Sequence, residues 1–214
     1  EVGYFYEFFP GESYDKCRIQ NKLFSFGKIV GKFSNQTKNI FKTKELFRDN
    51  KISLDENQTG IVRDVKSLLK SVRKKKGIYQ DIAIIIKKTL PFIKKDFLTK
   101  RYREQLTHGD LHMGNVLYNK KKRYFLIVDI DGLDKRIVSG EIMVIISYFL
   151  TNSASKNKKI IKDILRGYES QFKLTKKEKE IIPQMIILRK YGEILWLVNQ
   201  YEKHKISSEK FKRF

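Results

Sequence analysis

The chain has 214 residues, with 46 basic against 24 acidic side chains and a formal net charge of +22. That length suits one domain or two small subdomains, and 41% hydrophobic residues with 13% aromatics exclude a disordered polyelectrolyte. A single cysteine, Cys17, excludes a disulfide framework and a Cys-rich zinc site and points to a reducing, cytoplasmic setting; no apolar run reaches the ~18 residues of a membrane span, and no signal peptide opens the chain.

In chain order, Val2 to Phe9 is aromatic and β-prone and is stopped by Pro10-Gly11, so it predicts a strand and a turn. Tyr14 to about Ser34 carries Leu23, Phe26, Val30 and Phe33 at helical spacing. Asp49 to Gly60 is polar and predicts a loop. Ile61 to Val72 repeats apolar residues helically up to Lys76-Gly77. Ile78 to Phe97 does so again, and Pro91 should kink or split that helix. Val116 to Tyr118 and Tyr124 to Asp129 predict a β-hairpin with a Lys-rich turn. Four helical stretches follow: Glu141 to Leu150, Lys159 to Phe172, Thr175 to Arg189, and Tyr191 to about Lys203. Thr175 with Glu178 has the spacing of a capping box. The fold class expected is mainly α with a small β-hairpin, an α+β chain.

Chemistry-bearing residues gather in the loop 106–115, which reads Leu-Thr-His108-Gly109-Asp110-Leu-His112-Met-Gly-Asn115. Loops held on rigid elements are where catalytic groups collect. The hairpin then ends in Ile127-Val128-Asp129-Ile130-Asp131-Gly132. An Asp at the end of a buried apolar strand is costly to ionise alone, so Asp129 suggests a compensating cation.

These residues carry a resemblance. His-Gly-Asp-Leu-His-x-x-Asn, a hairpin, and then an apolar strand ending in Asp129-Ile-Asp131 resemble the aminoglycoside phosphotransferase/choline kinase family, a branch of the protein-kinase-like fold. The resemblance implies that Asp110 accepts or orients the substrate hydroxyl. It implies that Asn115 and Asp129 hold Mg²⁺ on ATP, with His108, Gly109, His112 and Asp131 shaping the site. Segment 4–11 is similar to the family's hinge, which implies that backbone groups near Glu7 and Phe9 meet the adenine. Glu141 falls where the family has an Asp that braces the catalytic loop. Gly167-Tyr-Glu-Ser and Leu174-Thr175 with Glu178 are similar to spore-coat-associated members.

The implied organisation is a hinge strand over 1–11 and a helical C-terminal lobe over 12–214, with catalytic loop 106–115 and metal-site hairpin 116–132. The family's N-terminal β lobe, with its Gly-rich loop and Lys/Glu pair, would precede Glu1. The expectation is therefore a chain lacking that lobe, or one completed by a partner chain. The implied reaction moves the ATP γ-phosphoryl to a small-molecule hydroxyl. Sugars, amino alcohols and choline-like acceptors stay open, whereas a +22 lobe disfavours polycationic aminoglycosides.

Other readings compete. A degenerate kinase-like scaffold or coat component would keep the fold without the chemistry. Asp129-Ile-Asp131-Gly132 is also similar to the nucleophile motif of haloacid-dehalogenase-type phosphatases, although Leu133 stands where that motif has Thr. The same Leu133 excludes an EF-hand loop. His108 and His112 are better read as bonding backbone in a tight loop than as metal ligands. Gly27-Lys-Ile-Val-Gly31-Lys32 is one residue short of a phosphate-binding Walker A loop and lies inside a helical pattern, so it is excluded. The basic residues are 35 Lys and only 11 Arg, spread over the chain, which disfavours a nucleic-acid site and favours a solvated surface.

Overall fold

The computed structural model describes residues 12–13, 22–38, 54–72, 76–94, 97, 102–203 and 207. The expected hinge strand over 1–11, with Glu7 and Phe9, lies outside these residues, as does Cys17. The chain divides into two compact units, one of residues 1–46 and 103–175, the other of residues 47–102 and 176–214.

In the first unit, β1 (Glu12–Ser13) precedes helix α1 (Leu23–Thr37). After an excursion into the second unit come β2 (Glu104–Thr107), β3 (Val116–Asn119), β4 (Tyr124–Ile127) and β5 (Asp134–Ile137). Helices α4 (Val138–Phe149) and α5 (Ala154–Glu169) complete it, and the second unit contributes α2 (Leu54–Ser71), α3 (Ile78–Thr89) and α6 (Lys176–Glu202).

Two small antiparallel sheets frame the site. β3 and β4 form the expected hairpin, with Val116 opposite Ile127, and β1 pairs on the outer side of β3. β2 and β5 form a second pair, with Thr107 opposite Asp134. That second sheet was not expected from the sequence. Its strands are 27 residues apart at the Thr107–Asp134 contact and only four residues long, so no local alternation announces them.

The core of the first unit is built on α1. Phe26 is fully buried and meets Phe125 and Phe149 edge-to-face, at centroid distances of 5.5 and 5.8 Å. Helix α4 is apolar nearly all round, with Ile142, Ile145 and Ile146 fully buried, as a central helix should be. Helices α1 and α5 approach until backbone meets backbone. A Cβ on Gly27 would strike the Ile164 carbonyl, one on Gly31 the Tyr168 carbonyl, and one on Gly167 the Phe24 carbonyl. Gly27 and Gly31 thus serve helix packing, which accounts for their spacing without any phosphate loop. Buried Tyr168 donates to Ser34 Oγ at 3.0 Å across the same interface.

In the second unit, Val65, Ile86 and Met185 are buried on α2, α3 and α6, and Thr89 Oγ1 bonds the Tyr191 hydroxyl at 2.7 Å. Pro91 ends α3 in a short 3-10 turn, Leu90–Phe92. Two expectations are corrected here. The polar stretch to Gly60 is not all loop: residues 54–60 are helical and run into the apolar repeat that begins at Ile61. The last two predicted helices are one, running through Pro183 and Gly192. Tertiary packing of its buried residues outweighs both weak formers.

Candidate active site

The pairing of Thr107 with Asp134 sets the geometry. It lays the turn that follows Asp129 beside the loop that follows Thr107, and Thr107 Oγ1 donates to the Asp134 carbonyl at 3.0 Å. Gly132 sits against Asp110: a Cβ on Gly132 would lie 3.6 Å from Asp110 Cβ and 3.2 Å from the His108 carbonyl. Residues far apart in sequence are thereby brought onto one surface.

His108 is fully buried. Its Nε2 lies 2.9 Å from the Val128 carbonyl, which can only accept, so the proton sits on Nε2. Nδ1 has no partner among the described residues. This ties the catalytic-loop candidate directly to the strand end that carries Asp129. The same strand end is tied again by the Val128 N–H, which donates to the Asn115 carbonyl at 3.0 Å.

Gly109 has φ +79, a conformation glycine adopts freely, and a Cβ there would collide with the Gly132 carbonyl. Its carbonyl accepts from Arg136 Nη1 at 2.7 Å. Asp110 is exposed, with its side chain 72% accessible and Oδ2 3.8 Å from His112 Nε2. The Asp110 backbone carbonyl accepts from Asn115 Nδ2 at 3.0 Å and from the His112 N–H at 2.9 Å. His112 Nδ1 accepts from the Gly114 N–H at 2.9 Å and caps the 3-10 turn Met113–Asn115. Asn115 itself is buried. Both histidines therefore spend a ring nitrogen on backbone. Among the described residues, no three His, Cys, Asp or Glu side chains gather as a metal site.

Asp129 holds a left-handed backbone, φ 62 and ψ 59, just beyond β4. Asp is one of the few residues that tolerate this region. It is exposed, as is Asp131 in the turn Ile130–Gly132. The expected burial of Asp129 is corrected: β4 ends at Ile127, and the carboxylate stands in solvent beyond it. The case for a cation rests instead on donor chemistry. The Asn115 amide oxygen and the Asp129 carboxylate are hard oxygen donors, and Mg²⁺ takes one or two protein oxygens with phosphates completing its shell.

Glu141 lies in the first turn of α4 and is buried. Oε1 accepts the His108 N–H at 2.8 Å and the Gly109 N–H at 3.4 Å. Oε2 has no partner among the described residues. Burial pushes this carboxyl up to about 7, against the opposing pull of the two backbone N–H groups and the Arg136 cation.

The backbone path can be compared with solved structures. An amicoumacin kinase, solved in complex with AMP-PNP, Ca2+ and Ami, superposes with a TM-score of 0.58, over 97% of this chain and 62% of that one, at 16% identity. The fold is kinase-like. The chain spans about three-fifths of the length of that kinase, and an identity this low speaks for the fold alone. No family model and no curated protein matches the sequence.

Within the kinase-like fold, Asp110, Asn115, His108, Gly109, His112, Asp129, Asp131 and Glu141 all fall in the first unit, on the loop, strand end and helix start just described. Glu7 and Phe9 lie outside the described residues. Two groups at the site escaped the sequence reading: Arg136, and Asp134 beside it, with Nε to Oδ2 at 3.2 Å. Nothing in a Lys-rich, Asp-rich stretch sets them apart, because only the pairing of β5 with β2 brings them to the loop.

Proposed function

We propose that this chain carries the catalytic half of an ATP-dependent phosphotransferase that moves the γ-phosphoryl to a hydroxyl of a small molecule. The observation that carries the reading is the pinned loop. Asp110 offers an exposed carboxylate, while its own carbonyl and both neighbouring residues on its N-terminal side are tied to Asn115, Arg136, Glu141 and Val128. Phosphoryl transfer asks chiefly for such positioning and for charge neutralisation, rather than for a covalent nucleophile. Asp110 would orient the acceptor hydroxyl and take its proton. Asn115 and Asp129 would hold Mg²⁺, which neutralises phosphate charge when bound. Backbone groups near Glu7 and Phe9 would meet the adenine, and a β lobe, on this chain or a partner, would close the cleft. A cytoplasmic setting, where ATP is plentiful, fits the reading.

The kinase-like fold and a small-molecule kinase among its structural neighbours support a small acceptor. The phosphatase reading of Asp129 and Asp131 needs a parallel sheet, whereas the strands described all pair antiparallel. The scaffold reading explains the fold but not why an exposed acid should be so tightly presented.

The test is ADP release by the full-length protein with Mg²⁺–ATP and a panel of hydroxyl-bearing small molecules. Wild-type turnover should fall by roughly 10²- to 10⁴-fold in Asp110→Asn, the range of a lost acid–base group. Near-normal turnover in that variant would overturn the assignment.

A further inference from the structure

We propose that Arg136 is a positioning residue for Asp110: oriented by Asp134, its guanidinium holds the Gly109 carbonyl while Glu141 holds the Gly109 N–H, so the residue before Asp110 is clamped at both ends. The inference rests on the phosphotransferase reading of Asp110 and gives Arg136, there only one of several ties, a defined part in aiming that carboxylate. Gly109 is the weak point of the loop. Without a side chain, and at φ +79, it has more freedom than any other residue type. The Gly109 carbonyl and the Asp110 N–H share one peptide plane. Fixing that carbonyl therefore fixes the plane and the Cα position from which the Asp110 side chain departs.

The register explains how Arg136 reaches so far. Arg136 pairs with Gln105 on β2, and its side chain extends along the sheet past the end of β2 to Gly109. The donor is charged and the contact is 2.7 Å, short for N–H to carbonyl. Asp134, two residues earlier on the same strand face, fixes the other edge: Arg136 Nε lies 3.2 Å from Oδ2, while Oδ1 accepts the Lys135 N–H at 2.7 Å. The Arg136 side chain is half-exposed, so the clamp adds little stability and acts by orientation. From below, the Gly132 carbonyl closes on Gly109. Gly109 is thus held on its N–H, its carbonyl and its Cα face by Glu141, Arg136 and Gly132.

The experiment compares wild type, Arg136→Met, Arg136→Lys and Asp134→Asn in the full-length protein, by ADP release with Mg²⁺–ATP and by NMR of the Gly109 and Asp110 amides. Arg136→Met should lower kcat by roughly 10- to 100-fold with KM for ATP unchanged, the scale of a small misplacement of a reacting group. It should also shift both amide resonances and move the Glu141 carboxyl titration upward. Arg136→Lys should restore part of kcat, because an ammonium can still donate to the carbonyl. If Arg136→Met does not fold, Asp134→Asn reads the same clamp through its loosened guanidinium. Unchanged kcat and amide shifts in Arg136→Met, or in Asp134→Asn where Met does not fold, would overturn the inference, including where Asp110→Asn is inactive. If wild type releases no ADP, the phosphotransferase reading fails, and the amide shifts alone decide whether the clamp exists.

Discussion

Glu141 Oε1 accepts the His108 N–H at 2.8 Å across 33 residues of sequence, joining the start of α4 to the loop that presents Asp110. Burial raises this carboxyl from 4.5 to about 7. The folded protein then holds the proton more tightly than the unfolded chain does. The stability linked to that proton is fully present below about pH 4.5 and declines as pH rises to about 7, by about 3 kcal/mol at most. Glu141→Gln keeps an oxygen for the two N–H groups but never ionises. Urea midpoints from pH 4.5 to 8 should show this decline in wild type and a flatter profile in the variant. Parallel profiles would refute the assignment.

Asn115 holds the Asp110 carbonyl, and the proposed function gives it a second task, offering an oxygen to Mg²⁺. Asn115→Ala should raise the Mg²⁺ concentration for half-maximal ADP release by about tenfold or more, as for lost groups around a metal. A magnesium titration of activity measures it. An unchanged midpoint would remove Asn115 from the metal site.

Gly109→Ala puts a Cβ into the Gly132 carbonyl and forces an L-residue to φ +79. The left-handed backbone alone costs about 1–2 kcal/mol. Denaturant unfolding should show at least that loss, and the loop must shift for the Cβ to fit, so ADP release should fall beyond what stability explains. Full activity at full stability would mean that the contact is not as close as described.

Glycines on two helices should respond with opposite sign. Gly167→Ala on α5 meets the Phe24 carbonyl on α1, where backbone cannot step aside, and should destabilise by about 1–3 kcal/mol. Gly192→Ala on α6 meets nothing within 4 Å and should stabilise by roughly 0.5–1 kcal/mol through helix propensity. Thermal melts of the two variants suffice, and equal shifts would contradict the packing described for α1 and α5.

Much of the site was legible in the sequence because it is local. The spacing from His108 to Asn115 is short enough for one loop to carry it, and the hairpin that follows has its alternation and its Lys-rich turn in plain view. The helices α1 and α5 follow from apolar periodicity, since burial of one face is what a helix needs, and α4 follows from its nearly continuous apolar run. Where signals were weak, local reading failed. Polar residues 54–60 read as loop, and α6 as two helices parted at Lys190, because a single sequence does not show which helices pack well enough to override propensity.

The sequence by itself determined a mainly helical chain with a small hairpin, and it named Asp110, Asn115 and Asp129 as the polar residues to examine. Only the tertiary structure decided that Asp129 stands in solvent, that Gly27 and Gly31 serve a helix crossing, and that Glu141 reaches the loop despite being Glu. It alone brought Arg136 and Asp134 to Gly109. The reason is physical: β2 and β5 are too short to declare themselves, and their pairing is fixed by long-range hydrogen bonds that no window of neighbouring residues contains.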